Sequence, residues 1–259
     1  MKVLLTGSKG FIGTQVGNWL ASEKIKFTGM DAGDSIPEDK FDIVLHFGAR
    51  TLIRKSKEFP YEYFLDNMDF TLRILEKCRR DGSSIVFPTS GSVMEATNPY
   101  SLSKKQGEEW VRMYSALYGV RAYILKLFNI YGETSRKGAV YLFCNAAVNN
   151  ETAIIYGDGS HLRDYVHVGD LVKFIASIVA GEISPGSYEI GTGVGTSVEG
   201  LLRIVEKVSG RKITVEKKEY VLPEADELFA RNSSLRQPLK IEEGVLRILS
   251  VLEEHGRSD

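Results

Sequence analysis

Short apolar segments alternate with longer stretches of helical periodicity over the first 130 residues of the chain. The apolar segments predict strands at Val3–Leu5, Phe27–Met30, Phe41–Phe47, Ser84–Phe87 and Ala122–Leu125. The stretches between them predict helices near residues 11–23, 60–80 and 98–117. Strands that alternate with helices form right-handed βαβ units, and nearly continuous apolar strands suit a sheet covered on both faces. We therefore expect an α/β fold with a doubly wound parallel sheet.

The pattern changes after about residue 130, where shorter elements follow one another. It predicts strands at residues 153–156 and 164–168 and helices near 169–180, 197–208 and 242–259. We expect residues 1–130 to form a core to which about 164–192 also contribute. Residues 131–163 and 193–259 are then expected to form a small C-terminal lobe that binds substrate.

Composition narrows the class of protein without identifying its chemistry. The chain has 259 residues, a net charge of −1 and two cysteines without metal or redox spacing. Such a charge gives no sign of a nucleic-acid or membrane-surface partner. The sequence lacks a signal-peptide pattern and any apolar run of the roughly 18 residues that a membrane span needs. We expect a cytoplasmic protein that binds neither nucleic acid nor membrane.

A glycine-rich segment, Thr6–Gly13, connects the first predicted strand to the first predicted helix. Gly7, Gly10 and Gly13 let the backbone turn tightly and approach a pyrophosphate, and they let the helix pack closely on the strand. The first helical residues, Phe11 and Ile12, present free N–H groups to the phosphates. The alternative is a tight turn without a ligand, but the placement in a βαβ unit favours a dinucleotide site. The expected fold is therefore of the Rossmann type.

Asp31 ends the second predicted strand, 18 residues after Gly13. A carboxylate there accepts hydrogen bonds from both ribose hydroxyls of NAD and repels the 2′-phosphate of NADP, so the expected cofactor is NAD. The alternative is an ordinary turn aspartate. Only about ten residues separate Asp31 from the third strand, too few for a crossover helix. We expect the adenine side of the pocket to be open or formed by the loop around residues 34–36.

A tyrosine and a lysine, Tyr100 and Lys104, lie on one face of the predicted helix that follows Pro99. A free tyrosine has a pKa of about 10, and a nearby ammonium favours its phenolate, the form that accepts a proton. Ser90 follows the strand at 84–87, where an open parallel sheet presents its ligands, and its hydroxyl can align the reacting oxygen. The tyrosine–lysine spacing alone also occurs by chance on many helices, and Ser90 alone is equally compatible with an ordinary turn residue. Their conjunction predicts a catalytic group of Ser90, Tyr100 and Lys104.

With these motifs the sequence resembles the NAD-dependent epimerase/dehydratase family, the extended short-chain dehydrogenase/reductases. The resembling segments are Thr6–Gly13, His46–Ala49, Asn67–Thr71, Leu127–Gly132 and Gly157–Asp170. The resemblance implies that NAD contacts Phe47, Gly48, Ala49, Asn67, Tyr100 and Lys104, and that Ser90, Asn129 and Arg163 contact a nucleotide-sugar substrate. For Arg163 an ion pair with Asp158 or Asp164 is the structural alternative. His46 and His167 are expected to be structural, with no metal bound. The resemblance also implies a homodimer that pairs through the two long helices.

Departures from the family pattern narrow the expected reaction. Gly91 and Ser92 occupy positions where family dehydratases carry an Asp-Glu pair, which leaves epimerisation or reduction. The loop between Ser90 and Tyr100 is short, and Val221–Asp226 only partly resembles the family's R-x-G-D. Our leading hypothesis is an NAD-dependent 4-epimerase of a UDP- or dTDP-sugar that passes through a 4-keto intermediate. The alternatives are an NAD(P)H-dependent 4-keto-sugar reductase and a catalytically weak protein that binds NAD or a sugar nucleotide.

Overall fold

A computed structural model describes residues 1–31, 33–219 and 225–255, without the side chains of Arg54, Met94, Glu95 and His255. Its strands are β1 (Val3–Thr6), β2 (Phe27–Met30), β3 (Ile43–His46), β4 (Ser84–Ser90), β5 (Ala122–Leu127), β6 (Asn129–Tyr131), β7 (Ala153–Tyr156), β8 (Leu162–Arg163), β9 (Tyr165–His167), β10 (Gly186–Ile190), β11 (Thr196–Ser197), β12 (Val215–Lys218) and β13 (Glu227–Leu228). Its α-helices are α1 (Phe11–Ser22), α2 (Ile53–Glu58), α3 (Pro60–Tyr63), α4 (Phe70–Asp81), α5 (Pro99–Tyr118), α6 (Ala139–Asn149), α7 (Val168–Val179), α8 (Val198–Ser209) and α9 (Ile241–His255).

A six-stranded sheet has the order β10-β5-β4-β3-β1-β2, in which five strands come from the first 127 residues and β10 is added from much later in the chain. The pairs from β2 through β5 are all parallel. The α/β fold with a doubly wound parallel sheet is thus confirmed. Strands β1, β3 and β4 are buried along almost their whole length, as expected of strands covered on both faces.

The edge at β2 departs from the usual strand order of this fold. A Rossmann sheet has the order 3-2-1-4-5-6, in which a further strand lies outside the second one. Here the strand that follows β2 in the chain, β3, pairs with β1, and among the described residues β2 pairs only with β1. One strand and its crossover helix are therefore missing, because the segment after Asp31 is too short to form them.

The helix predicted near 60–80 is composite. It consists of α3, a π-helical segment at Phe64–Asp69, and α4. The helix predicted near 98–117 is continuous as α5. The Asn98 side chain caps its N-terminus by accepting a hydrogen bond from the Ser101 amide at 2.9 Å, and Gly119 ends it in the left-handed conformation. This cap places Tyr100 in the first turn of α5.

The chain divides into two compact units. The first comprises residues 1–127 and 174–188, and its core packs α4 and α5 on the sheet. The second comprises residues 128–173 and 189–259, and its core is formed mainly by α6, α8 and α9. Residues 164–173, which the sequence analysis assigned to the Rossmann core, lie in the second unit because β9 pairs with β6 rather than with the large sheet.

Two sequence predictions fall partly outside the described residues. Residues 221–224 of the partial R-x-G-D match lie there, and so do residues 256–259 at the end of the predicted C-terminal helix. Within the described residues, no helix combines the length and the apolar composition required to cross a membrane.

Candidate active site

The glycine-rich segment forms a tight backbone cradle between β1 and α1. Gly7 has φ +69°, and a Cβ there would lie 2.6 Å from the Phe47 carbonyl carbon. A Cβ on Gly13 would lie 2.0 Å from the Gly7 carbonyl oxygen, so only glycine lets α1 approach β1 this closely. Gly10 is the N-cap of α1 and supplies no side-chain cap, which leaves the first amides of the helix available to an anion. The cradle fits a pyrophosphate.

A cavity of about 650 Å³ opens in front of this cradle. It is lined by Gly7, Gly10, Asp31, Gly33, Asp34, Ser35, Phe47, Gly48, Ala49, Arg50, Leu65, Asp66, Asp69, Phe70 and Arg73. The structure thus brings together six of the twelve predicted cofactor residues on this wall, which does not include the other six, Phe11, Ile12, Gly13, Asn67, Tyr100 and Lys104. The wall formed by the π-helical segment and α4 was not predicted from the sequence. The spacing of Asp66, Phe70 and Arg73, about one helical turn apart, is the signal that marks this wall.

Asp31 is hydrogen-bonded to the glycine-rich segment through its carboxylate. Its carboxylate accepts hydrogen bonds from Ser8 Oγ at 2.7 Å and from the Lys9 amide at 3.2 Å. Its own amide donates to Asp34 Oδ2 at 2.7 Å. Two carboxylates therefore face the cavity where a ribose would lie. They accept hydroxyl hydrogens and repel a 2′-phosphate, which fits NAD better than NADP.

His46 lies behind the cradle at the end of β3, where burial lowers its pKa to about 3. Thr71 Oγ1 donates to the Asn67 carbonyl oxygen and so accepts from His46 Nε2 at 3.1 Å. Thr6 Oγ1 accepts from the Gly48 amide and so donates to His46 Nδ1 at 2.8 Å. His46 is thus a neutral structural residue that connects the loop after β3 to α4, as expected.

Asn67 braces the cavity wall from behind. Its Oδ1 accepts from the Arg50 amide at 2.7 Å, and its Nδ2 donates to the Arg50 carbonyl oxygen at 3.1 Å and to Ser103 Oγ at 2.9 Å. Ser103 Oγ in turn donates to the Tyr100 carbonyl oxygen at 2.7 Å. Asn67 is buried, and this chain of hydrogen bonds ties the cavity wall to the first turn of α5.

Ser90 and Tyr100 meet at the carboxyl end of β4. The Ser90 hydroxyl hydrogen-bonds the Ser92 hydroxyl at 2.9 Å, and Ser92 reaches Ser101 at 3.1 Å. Burial raises the pKa of Tyr100, while a hydrogen bond with Ser90 acts in the opposite direction. The two predicted catalytic hydroxyl groups are therefore in contact, and the tyrosine is a neutral phenol at pH 7 in the protein alone.

Lys104 lies one turn further along α5 and is buried. Burial lowers its pKa to about 8, and its Nζ lies 4.5 Å from the centre of the Phe87 ring. Among the described residues this ammonium makes no hydrogen bond, so its donors are available to a ligand. The expected lowering of the Tyr100 pKa by Lys104 is not found: the pKa of that phenol is raised mainly by burial and lowered by Ser90, and Lys104 has no resolved effect on it.

The two residues expected to bind the substrate diphosphate, Asn129 and Arg163, lie in the second unit. Asn129 Nδ2 donates to the Asp164 carbonyl oxygen at 3.3 Å. Arg163 is buried, and its guanidinium donates to the carbonyl oxygens of Leu162 and Ala225, both at 2.9 Å. The Asp164 carboxylate accepts instead from Thr192, Gly193 and Ala230. The arginine is thus held by backbone carbonyls.

The second histidine of the sequence motifs, His167, has protein partners as His46 does. His167 Nε2 lies 3.1 Å from Glu133 Oε2, and its Nδ1 accepts from the Gly169 amide at 3.1 Å. Across the part of the chain that the structure describes, no three His, Cys, Asp or Glu side chains group as a metal site would require.

The fold and the glycine cradle define a dinucleotide-binding protein of the Rossmann class. The model of the NAD-dependent epimerase/dehydratase family matches residues 3–191. The chain therefore belongs to the NAD-dependent epimerase/dehydratase family, and its cofactor is NAD.

Individual relatives agree with this family. A putative UDP-glucose 4-epimerase of Methanocaldococcus jannaschii is 28% identical over 99% of this chain and 100% of that protein. That alignment spans 309 positions although this chain has 259 residues, so the relative carries segments that this chain lacks. A UDP-2-acetamido-2,6-beta-L-arabino-hexul-4-ose reductase of Pseudomonas aeruginosa is 28% identical over 71% of this chain and 51% of that protein. The crystal structure of Thermus thermophilus UDP-glucose 4-epimerase with NAD shares the fold, with a TM-score of 0.85, 23% identity and coverage of 97% and 99%.

Proposed function

We propose that this protein is an NAD-dependent nucleotide-sugar epimerase that inverts C4 of a UDP- or dTDP-sugar through a 4-keto intermediate. The observation that carries the proposal is the contact between Ser90 and Tyr100, which the Asn67 chain of hydrogen bonds ties to the wall of the NAD cavity. Relatives named as UDP-glucose 4-epimerases support the choice of substrate class.

Tyr100 is the proposed general base and general acid. Its phenolate takes the proton of the sugar hydroxyl and later returns it, while Ser90 donates a hydrogen bond to the same sugar oxygen. Because burial raises the pKa of Tyr100, its deprotonation depends on positive charge nearby. Lys104 remains cationic below about pH 8, and we propose that its charge acts on the phenol once NAD and substrate are bound. NAD, when bound, supplies the hydride acceptor and donor at C4.

We propose that Arg163 and Asn129 hold the substrate diphosphate. The guanidinium already donates to two carbonyl oxygens, which fixes its plane at little entropic cost on binding. A fixed guanidinium makes charge-assisted hydrogen bonds to a diphosphate oxygen. Holding the diphosphate leaves the sugar ring free to present either face, which a 4-epimerase requires.

The test is to denature freshly purified protein, identify any nucleotide that it releases, and then incubate the native protein with UDP-glucose without added NAD. We expect about one NAD per chain and conversion to an equilibrium mixture with UDP-galactose, measured by chromatography. The Tyr100→Phe variant is the control and should retain NAD without turnover. NAD without turnover of any UDP- or dTDP-sugar would contradict the epimerase and favour the catalytically weak binding protein.

The second candidate is a 4-keto-sugar reductase, which the Pseudomonas aeruginosa relative favours. A reductase uses the same Ser90 and Tyr100 but consumes external NADH or NADPH. The two functions separate in one measurement. Stoichiometric loss of absorbance at 340 nm with a UDP-4-keto sugar supports the reductase, whereas epimerisation without net consumption supports the epimerase.

We further propose that the protein is a homodimer. Large apolar side chains lie exposed along one face of α5, at Leu102, Trp110, Met113 and Leu117, and others lie exposed at Tyr61 and Phe64. Exposed apolar patches of this extent mark protein interfaces. We expect a dimer in sedimentation-equilibrium analysis and a monomer for the Met113→Glu/Leu117→Glu variant. A wild-type monomer would contradict this assembly.

We also propose a cytoplasmic location. Cys78 and Cys144 are buried free thiols, which suit a reducing compartment.

A further inference from the structure

The NAD cavity has one wall that the missing strand and crossover helix would otherwise support. Gly33, Asp34 and Ser35 form this wall, on a connection that contains no helix or strand between residues 33 and 42. An irregular connection of this kind needs contacts elsewhere in the fold to hold one conformation.

An ion pair at the end of α4 supplies these contacts. Lys77 and Asp81 lie 2.9 Å apart, with side chains only 4% and 7% exposed. Lys77 Nζ also donates to the carbonyl oxygens of Asp39 at 2.7 Å and Glu38 at 3.3 Å. Asp81 Oδ2 accepts from the Phe41 amide at 3.3 Å. The pair therefore hydrogen-bonds the backbone of the connection at residues 38, 39 and 41, shortly after the cavity wall at residues 33–35.

Stability of the helix does not explain this pair. Asp81 is the last residue of α4, where the negative end of the helix dipole disfavours a carboxylate. Burying both charges also carries a desolvation cost that their mutual attraction often fails to recover. The three bonds to residues 38, 39 and 41 are what this arrangement provides beyond an apolar packing of the same volume.

The connection has a second fixed point on the other side of the wall. The Asp31 amide donates to Asp34 Oδ2, and the Asp34 amide donates to the Asp31 carbonyl oxygen at 3.1 Å. Between these points Ile36 packs against the core of the first unit. The outer ion pair of Lys2 with Asp39 is exposed and contributes little.

We propose that Lys77 and Asp81 are positioning residues for NAD, and that their buried pair replaces the missing strand and helix by fixing the loop that forms the adenosine side of the cavity. The pair acts through Glu38, Asp39 and Phe41 and does not itself line that cavity. Its loss is expected to weaken binding of the adenosine half of NAD even where the fold remains stable.

The test is isothermal titration of ADP, which carries the adenosine and the pyrophosphate of NAD, into nucleotide-free protein. We expect Lys77→Met and the double variant Lys77→Met/Asp81→Leu each to raise the Kd for ADP about tenfold, the loss expected when a positioning hydrogen bond is removed. The double variant should recover the wild-type Tm, because apolar side chains replace a buried pair without leaving one charge unpaired. If the pair were merely structural, the double variant would recover both the wild-type Tm and the wild-type Kd for ADP. That result would overturn the proposal.

A matched control is Lys212→Met, the same chemical change at an exposed lysine that pairs with Glu206 in the second unit. It should change neither the Tm nor the Kd for ADP. Wild-type protein that binds no ADP would contradict the cofactor assignment rather than the role of the pair.

An insertion variant addresses the case in which the pair variants do not fold. Insertion of two glycines between Pro37 and Glu38 leaves Lys77 and Asp81 intact but loosens the loop between its fixed points. Lengthening a loop by two residues costs little stability. We expect an unchanged Tm and a Kd for ADP raised about fivefold. An unchanged Kd would overturn the proposal independently of the charged residues.

Discussion

Replacing Lys104 with methionine is expected to stabilise the protein while abolishing its catalysis. The Lys104 side chain is only 6% exposed, and its ammonium contacts the Phe87 ring without a hydrogen bond among the described residues. Burial disfavours the charged form and lowers the pKa from 10.5 to about 8. The folded protein therefore carries an energetic cost at neutral pH that methionine, of similar length, does not impose.

The size of this cost follows from the pKa. A fall from 10.5 to about 8 corresponds to about 3 kcal/mol at pH 7, at about 1.4 kcal/mol for each factor of ten. Loss of the cation–π contact with Phe87 offsets about 1–2 kcal/mol of that gain. We expect Lys104→Met to raise the free energy of unfolding by about 1–2 kcal/mol at pH 7.

The sign of the pH dependence gives a sharper check. Between about pH 8 and 10.5 the unfolded chain keeps the Lys104 proton while the folded protein has lost it. Stability rises with pH wherever the unfolded state binds more protons, so the wild type gains stability across this window and the methionine variant does not. The advantage of the variant should therefore shrink between pH 7 and pH 9.5.

Urea denaturation of nucleotide-free protein at these two pH values measures both effects. Lys105→Met is the matched control, since Lys105 lies next in the same helix but is exposed. It should change stability by less than about 0.5 kcal/mol at either pH. A Lys104→Met variant that is less stable than wild type at pH 7, or a difference independent of pH, would refute the reasoning.

Three further substitutions test the site. Gly13→Ala places a Cβ 2.0 Å from the Gly7 carbonyl oxygen and should abolish ADP binding in calorimetry, whereas Gly17→Ala, with 3.5 Å to its nearest neighbour, should bind normally. Asp31→Asn should lower the affinity for NAD about tenfold and raise the affinity for NADP relative to that for NAD. An unchanged ratio of the two affinities in competition titrations would count against a contact between Asp31 and the ribose. Tyr100→Phe should reduce kcat about 10³-fold with ADP affinity unchanged, and activity within tenfold of wild type would exclude it as the general base.

The glycine cradle and the strands around it were predictable because their signals are local. Gly7 and Gly13 lie within one strand–turn–helix unit, in which a short continuous apolar segment indicates β1 and helical periodicity indicates α1 a few residues later. The same holds for Ser90 at the end of β4 and for Tyr100 and Lys104 in α5. The positions of these three residues in the fold were therefore predictable together with the elements that carry them.

Other elements escaped prediction for identifiable reasons. Helix α6 is apolar on nearly all sides, so its sequence lacks the alternation that reveals a surface helix. Strand β10 lies 59 residues after β5 in the chain, and nothing local indicates that the two are neighbours in the sheet. Strand β9 was predicted, but its partner β6 was not, and the pairing of these two strands is what places residues 164–173 in the second unit.

The pKa of Tyr100 could not be predicted from the sequence. The i, i+4 spacing correctly places Lys104 one turn away, but spacing carries no information about desolvation. In the folded protein the burial of the phenol raises its pKa and the burial of the ammonium lowers the pKa of Lys104. Both shifts disfavour the phenolate–ammonium pair in the protein alone, so the base becomes active only when a ligand adds positive charge near the phenol.

The cavity wall at residues 33–35, on the adenosine side, was predictable only in part. The shortness of the segment after Asp31 showed that a crossover helix was absent, because chain length is a local property. What replaces that helix was not visible, because Lys77 lies 38 residues beyond Asp39 and reaches it only in the folded chain. A chain that loses a strand at the sheet edge must stabilise the remaining loop from a neighbouring helix or lose its cofactor affinity. The charged side chains at the end of α4 are therefore where shortened members of this fold should differ from longer ones.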